Sequence, residues 1–171
     1  MTRRMDYTLA YDAPAEKIYQ DFTSREYWQS LMDVYRQHLP HSEVTSFSSD
    51  ERGADIVFSQ HVRRRDLPPI AKAVVPVDLI ITRTQHVEPF DHEKSRAKGS
   101  YTATVTHAPG HIRGEYLLTE TDTGSELRLA SECKVYIPLV GGKLEEMILH
   151  GLEGLFDEEQ AFTADWISSH H

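Results

Sequence analysis

This chain of 171 residues contains ten histidines. Their imidazole side chains could bind a metal ion or transfer protons in catalysis, because imidazole does both near neutral pH. Their spacing does not fit a metal site: no pair four residues apart falls on a predicted helix, and no His-Glu-x-x-His motif occurs. His38 and His41 lie in a predicted loop, and His107 and His111 flank a predicted turn. We therefore predict no metal site, with the histidines at the surface or hydrogen-bonded within the fold.

The single cysteine, Cys133, stands among apolar residues in a predicted strand. A free cysteine in such a place usually behaves as a small buried hydrophobe, and no helix N-terminus is predicted nearby to stabilise a thiolate. One cysteine also excludes an internal disulfide and a cysteine-based zinc site. Gly141 and Gly142 come close to a glycine-rich phosphate loop but lack its spacing, so we predict no cofactor.

Several polar residues of the predicted strands are in phase with apolar residues that face inward. They are Gln60, Arg83, Gln85, Tyr101, His107, Tyr116 and Ser131. A buried polar group without a partner costs about 1–3 kcal/mol, so each buried member must bond to a neighbour, a water or a ligand. An apolar cavity with a few polar groups is typical of small-molecule sites. The alternative for single members, such as Arg83 or His107, is that they reach solvent at the rim of the sheet.

Alternating apolar and polar residues over most of the chain predict the β-strands that carry these side chains. The predicted strands are 4–11, 43–49, 54–62, 76–88, 96–107, 111–120 and 125–137. Short turns between most of them favour an antiparallel meander. Two short helices, at 15–22 and from Thr23 to Leu39, follow the first strand. Residues 66–75 predict a loop with one helical turn lying over the sheet.

Residues 138–168 predict one long amphipathic helix. Its apolar stripe consists of Leu144, Ile148, Leu152, Leu155, Phe162 and Trp166, widened by Met147 and Phe156. The opposite face is acidic and includes Glu145. Gly151 falls on the apolar stripe, where it either permits close packing on the sheet or leaves room for a ligand. We expect an α+β fold in which a curved antiparallel sheet of six to seven strands grips this helix, with Phe162 and Trp166 docked on the two short helices.

Composition narrows the possible partners. A net charge of −9 argues against a nucleic-acid partner held through phosphate contacts. The only strongly basic run, Arg63-Arg64-Arg65, is followed by Asp66, and we interpret it as a strand end in solvent. No window approaches about 18 consecutive apolar residues and the N-terminus has no apolar signal region, so we expect no transmembrane segment and a cytoplasmic location. The length fits one domain, residues 1–171, and leaves the oligomeric state open.

The order of elements resembles the START-like (Bet v 1-like, polyketide cyclase/dehydrase) superfamily along nearly the whole chain. The segment 11–19, followed by Tyr27-Trp28, resembles the strand-to-helix entry of that superfamily. Leu67-Pro68-Pro69-Ile70, the segment 137–145 and residues 158–167 are similar to an uncharacterised actinobacterial family within it. The resemblance implies a helix-grip fold and a deep cavity for a small molecule. It implies no particular activity, because the superfamily holds binders, carriers and cyclases on one scaffold.

We therefore predict that an apolar small molecule, such as a lipid, a polyketide or an aromatic compound, binds between the C-terminal helix and the sheet. The residues predicted to line one continuous cavity are Phe58, Leu79, Ile81, Tyr101, Tyr116, Leu129, Ser131, Ile148, Gly151 and Leu152. One alternative is a cyclase- or dehydratase-type enzyme, marked by a His–Tyr or Arg–Tyr pair converging in the cavity. Another is a protein-interaction domain, marked by a large exposed apolar patch over a filled interior.

Overall fold

A computed structural model of the chain describes residues 2–170, so the two ends of the predicted domain, Met1 and His171, lie outside the described residues. The strands are β1 (Arg3–Tyr11), β2 (Glu43–Asp50), β3 (Gly53–Val62), β4 (Leu79–Val87), β5 (Arg96–Val105), β6 (Gly110–Thr121) and β7 (Gly124–Val135). The helices are α1 (Ala15–Phe22), α2 (Arg25–Tyr35), α3 (Pro69–Lys72) and α4 (Gly141–His170), and a short 3-10 turn spans Arg64–Asp66.

The seven strands form one antiparallel sheet in the order β1-β7-β6-β5-β4-β3-β2. Strands β2 to β7 follow one another as a meander, and β1 pairs with β7 at the opposite edge. The sheet curves around α4, which confirms the predicted α+β arrangement. Two cross-strand pairs place a glycine opposite a tyrosine, Gly99 opposite Tyr116 and Gly114 opposite Tyr101. A Cβ at these glycines would lie 2.1 and 2.5 Å from the facing rings, so glycine makes room for each ring to lie across the sheet.

Two strand boundaries differ from the prediction. β4 begins at Leu79 rather than at residue 76, because Pro76 cannot donate a hydrogen bond to a neighbouring strand. Val77 is therefore exposed before the strand instead of lying on its inner face. β5 ends at Val105, and His107 occupies the β5–β6 turn with a φ of 59°. The prediction that His107 points inward is wrong, because the left-handed turn ends the alternation of the strand and leaves the ring exposed.

The C-terminal half of α4 packs on the first two helices through aromatic side chains. The ring centroids of Trp166 and Phe162 lie 5.8 and 5.3 Å from that of Tyr27 in α2. Trp166 Nε1 donates a hydrogen bond to Asp21 Oδ1 in α1 at 3.0 Å, and the Tyr27 hydroxyl lies 2.8 Å from Thr163 Oγ1. This end of the molecule is therefore filled by close-packed rings, and the polar atoms of Trp166 and Tyr27 are hydrogen-bonded to Asp21 and Thr163.

A buried carboxylate fixes the first turns of α4. Glu145 accepts a hydrogen bond from the backbone nitrogen of Val135 at 2.8 Å, and atoms of Arg3 and Lys134 lie 3.8 Å from its carboxylate oxygens. The prediction that Glu145 belongs to the exposed acidic face is therefore wrong. Its side chain turns inward because it ties the start of the helix to the end of β7.

Phe156→Ala should lower the free energy of unfolding by about 3–5 kcal/mol, because removing a buried ring leaves a cavity. Phe156 is buried and its ring packs against Tyr7 and Tyr101. Phe162→Ala should cost less, since Phe162 is only partly buried. Urea denaturation followed by tryptophan fluorescence measures both variants, and equal losses would contradict this assignment of the core.

Candidate ligand-binding cavity

A cavity of about 560 Å³ lies between the N-terminal half of α4 and the sheet. Strands β3 to β7 form its floor, and α4 forms its roof. The loop that contains α3 closes one side, and the β5–β6 turn closes another. Representative lining residues are Val62, Ala103, Cys133, Val74, Pro109 and Met147. Because most of the lining side chains are apolar, the interior is suited to an apolar molecule.

The structure places six of the ten predicted site residues along this cavity. They are Leu79, Ile81, Tyr101, Ile148, Gly151 and Leu152. The strand residues face the interior from β4 and β5, and the helix residues face them from α4. Ile148 and Leu152 are only partly buried, because the cavity lies where a packed core would otherwise cover them.

The other four predicted site residues lie outside the cavity, where the core is filled. Phe58 is buried and stacks on Trp28, with ring centroids 6.1 Å apart. Tyr116 and Leu129 line a separate space of about 30 Å³, which is enough for about one water molecule. Ser131 is buried and hydrogen-bonded to the Tyr101 hydroxyl. The strand phase of these residues is inward as predicted, but their position along the strands brings them under the aromatic end of the molecule.

Gly151 faces open space rather than a packed neighbour. A Cβ built at Gly151 has no atom within 4 Å, and the same is true of Gly154 one turn further along. Close packing of helix on sheet is therefore not the reason for this glycine. Gly151 is exposed at the rim of the cavity. It shares its stripe with Ile148 and Leu155, both of which line the cavity, so a side chain at this position would extend along the cavity opening.

A charged cluster stands at the inner end of the cavity. Arg83 in β4 donates from Nη1 to Glu159 Oε1 in α4 at 2.8 Å, and from Nε to Gln85 Oε1 at 3.1 Å. The hydroxyl of Tyr35 donates to the same Glu159 oxygen at 2.6 Å. The guanidinium also lies over the ring of Tyr101, 5.5 Å from its centroid. Arg83, Tyr35 and Tyr101 all contribute to the cavity wall.

Burial and charge determine the protonation of this cluster. Desolvation lowers the pKa of Arg83, but the nearby Glu159 carboxylate outweighs it, so the pKa of the guanidinium is raised and the group stays charged. Burial, reinforced by Glu159, raises the pKa of Tyr35 well above its usual value. Burial also raises the pKa of Tyr101, although its bond to Ser131 and the charge of Arg83 oppose the shift. All three groups are therefore hydrogen-bond donors at neutral pH.

Other polar groups of the wall are few. Gln60 donates a hydrogen bond to Ser42 Oγ at 3.3 Å. The Nε2 atom of His111 is buried and has no hydrogen-bond partner in the described structure. Cys133 is fully buried, and burial raises the pKa of its thiol to about 11, so it is not a thiolate nucleophile at neutral pH. Within residues 2–170, no three His, Cys, Asp or Glu side chains are arranged to hold a metal ion.

Sequence reasoning missed two parts of the site. Glu159 was not singled out, although it follows the buried Phe156 by three residues and precedes the buried Thr163 by four, so its helical phase points inward. A carboxylate in that phase needs a hydrogen-bonding or charged partner, and Arg83 was one candidate among the residues in inward phase. The wall formed by Leu67 and Val74 was also missed, because the contacts of an irregular loop leave no periodic pattern in the sequence.

The seven-stranded antiparallel sheet, the two helices inserted after β1 and the long C-terminal helix define a START/Bet v 1-like helix-grip fold. Residues 6–167 match the model of the family described as "Protein of unknown function (DUF2505)", and the chain belongs to that family. An uncharacterized protein of Mycobacterium tuberculosis and one of Mycobacterium bovis are each 28% identical to it over 174 residues, covering 99% of both chains.

Solved structures agree on the fold. A crystal structure of a Thermus thermophilus protein is 14% identical, with a TM-score of 0.59 and complete coverage of both chains. Ara h 8.0201 is 7% identical with a TM-score of 0.56, covering 95% of this chain and 97% of the other. Norcoclaurine synthase from Thalictrum flavum, solved in complex with dopamine and hydroxybenzaldehyde, is 14% identical with a TM-score of 0.52, covering 100% and 89%. None of the helices in residues 2–170 has the length and apolarity needed to cross a membrane.

Glu159→Gln should lower the free energy of unfolding by roughly 3–5 kcal/mol, because it leaves the buried Arg83 guanidinium without a counter-ion while keeping the acceptor for Tyr35. The double variant Arg83→Met/Glu159→Gln removes the unpaired charge and should recover part of this loss. Unfolding in guanidinium chloride measures the free energy of unfolding of the parent and of the two variants. A double variant no more stable than the single one would show that charge burial is not the cause.

The buried phenols should remain protonated above pH 10 while the protein is folded. Burial raises the pKa values of Tyr11, Tyr27, Tyr35 and Tyr116 from about 10. A raised pKa favours the protonated phenol in the folded state, so this contribution to stability is complete below pH 10 and is lost as the pH rises toward the folded values. Phenolate absorbance should show these four groups titrating only when the protein unfolds at high pH. In guanidinium chloride, which unfolds the protein at any pH, the same four groups should titrate near pH 10.

Proposed function

We propose that the protein binds an apolar or aromatic small molecule, carrying at least one hydrogen-bonding group, in the cavity between α4 and the sheet. The observation that carries this proposal is the cavity of about 560 Å³, which falls in the roughly 300–1,000 Å³ range of ligand sites. Apolar side chains around unfilled space lose dispersion contacts, and an apolar ligand would restore them. The proposed contacts are Leu79, Ile81, Tyr101, Ile148, Gly151 and Leu152.

Polar groups of the cavity wall support the proposal that the ligand carries at least one hydrogen-bonding group. The Arg83 cluster stands at the inner end of the cavity, and the unpartnered Nε2 of His111 lies on the wall formed by β6. A buried polar atom without a partner costs about 1–3 kcal/mol, and a ligand hydroxyl or carbonyl beside His111 would remove that cost. We expect these groups to fix the orientation of the ligand, and the apolar wall to supply most of the affinity.

A second candidate function is catalysis on a ligand carbonyl, which the meeting of Arg83 with Tyr35 and Tyr101 favours. The raised pKa values of these three groups limit them to donating hydrogen bonds, because none releases its proton near neutral pH. The cluster can polarise a carbonyl, but its one carboxylate, Glu159, is already bonded to both Arg83 and Tyr35, so binding is the better-supported function. A protein-interaction domain with a filled interior is not favoured, since the interior contains the cavity.

Gly151→Leu should reduce the affinity for a neutral apolar probe, N-phenyl-1-naphthylamine, by about tenfold, because the new side chain enters the open space beside Ile148 and Leu155. Replacing a glycine in a helix interior should at the same time leave stability unchanged or raise it by up to about 1 kcal/mol. Fluorescence titration measures the affinity, and thermal unfolding measures the stability.

Gly154→Leu is the matched control. Gly154 lies in the same helix and also has no atom within 4 Å of a built Cβ, but it does not line the cavity. This variant should gain the same helix propensity and keep the parental probe affinity. The proposal fails if the parent does not bind the probe, or if the two leucine variants bind it equally well.

A further inference from the structure

All the large apolar side chains that are strongly exposed in residues 2–170 lie at the end of the sheet that the cavity occupies. Val77 and Ile80 are 43% and 45% exposed around the start of β4, and Tyr136 is 59% exposed after β7. Leu139 is fully exposed just before α4. One end of the sheet thus presents several apolar side chains to solvent, as a surface that contacts another apolar phase would. We call the loops that carry these four residues the docking end.

Hydrogen bonds between the loops hold the docking end together. The backbone nitrogen of Tyr136 donates to the carbonyl oxygen of Pro109 at 2.9 Å, and that of Thr106 donates to the carbonyl oxygen of Ile80 at 3.0 Å. Leu139 has a φ of 72°, a left-handed conformation that leucine rarely adopts. The loop thus holds a large apolar side chain in water at an unfavourable backbone position, where it contributes nothing to the core.

Positive charge is concentrated at the same end of an acidic chain. The segments 63–78 and 134–143 contain six Lys or Arg residues and only two Asp, whereas the whole chain has a net charge of −9. Within the basic run that follows β3, Arg64 departs from the predicted solvated position, because its Nε donates to the carbonyl oxygen of Val75 at 2.7 Å and braces the loop. Arg63 and Arg65 on either side of this brace are exposed.

We propose that the docking end binds the surface of an anionic phospholipid bilayer, with Leu139 and Tyr136 entering the interfacial region and Arg63 and Arg65 contacting the headgroups. The exposed apolar groups lie on two segments at one end of the sheet, Val77 and Ile80 around the start of β4 and Tyr136 and Leu139 between β7 and α4. Apolar side chains spread over two segments suit a planar fluid surface better than a groove for a single peptide. Arginine and lysine side chains are attracted by the negative potential of such a surface. Docking requires only these loops, so it does not depend on the cavity binding a ligand.

The test is co-sedimentation of the full chain with vesicles of phosphatidylcholine containing about 30% phosphatidylglycerol, compared with vesicles of pure phosphatidylcholine. The parent should bind the anionic vesicles, and raising the salt from about 0.1 M to about 0.5 M should weaken binding. Arg63→Glu/Arg65→Glu should reduce the partition coefficient roughly thirtyfold or more. Leu139→Asp should reduce it about tenfold, since it removes one inserted apolar side chain.

The matched control for the charge reversals is Arg52→Glu/Lys94→Glu, which makes the same change of net charge in exposed turns at the opposite end of the sheet. It should bind anionic vesicles within about twofold of the parent. Leu139 is fully exposed, so Leu139→Asp should keep the parental melting temperature. Absence of parental binding, equal binding to neutral vesicles, or equal losses in the control and the docking-end variant would each overturn the proposal.

Discussion

The ion pair between Arg83 and Glu159 is the interaction on which the interior of this protein depends. It joins the middle of β4 to α4 across the space between sheet and helix, with both side chains largely buried. Two charges removed from water are stable only when they are paired and hydrogen-bonded, which Tyr35 and Gln85 complete here. The pair therefore fixes the position of the helix along the sheet. It also marks a boundary, with packed aromatic rings on one side and the cavity on the other.

The two halves of α4 differ because of what each half faces. Beyond Glu159 the helix presents Thr163 and Trp166 to α1 and α2, and both are buried. Before it, Ile148 and Gly151 face the cavity, and the helix is held by its start, where Glu145 binds the end of β7. A helix fixed at both ends can span a gap in the middle. This explains how the fold tolerates unfilled space between the N-terminal half of α4 and the sheet.

The sequence predicted the fold more completely than it predicted the residues of the candidate site. The change from period 3.6 to period 2 and back identified the elements, and the phase of the strands placed Tyr101 inside. For Arg83 the phase left a choice between the interior and the rim of the sheet, and the structure buries it. Phase states which face a side chain occupies but not its depth along the strand, so Phe58 and Tyr116 were grouped with the cavity although they lie in the packed core. Pairing across the interior, as between Arg83 and Glu159, depends on tertiary register that a single sequence does not encode locally.

The unfilled cavity has a consequence for stability. Apolar walls without partner atoms lose dispersion energy, and the fold must compensate elsewhere. Favourable packing energy comes from the other end of the molecule, where the rings of Tyr27, Phe162 and Trp166 pack together and do not line the cavity. The packed aromatic rings and the cavity thus lie at opposite ends of one sheet. A molecule that bound in the cavity would stabilise the fold by an amount that rises with the logarithm of its concentration above the Kd.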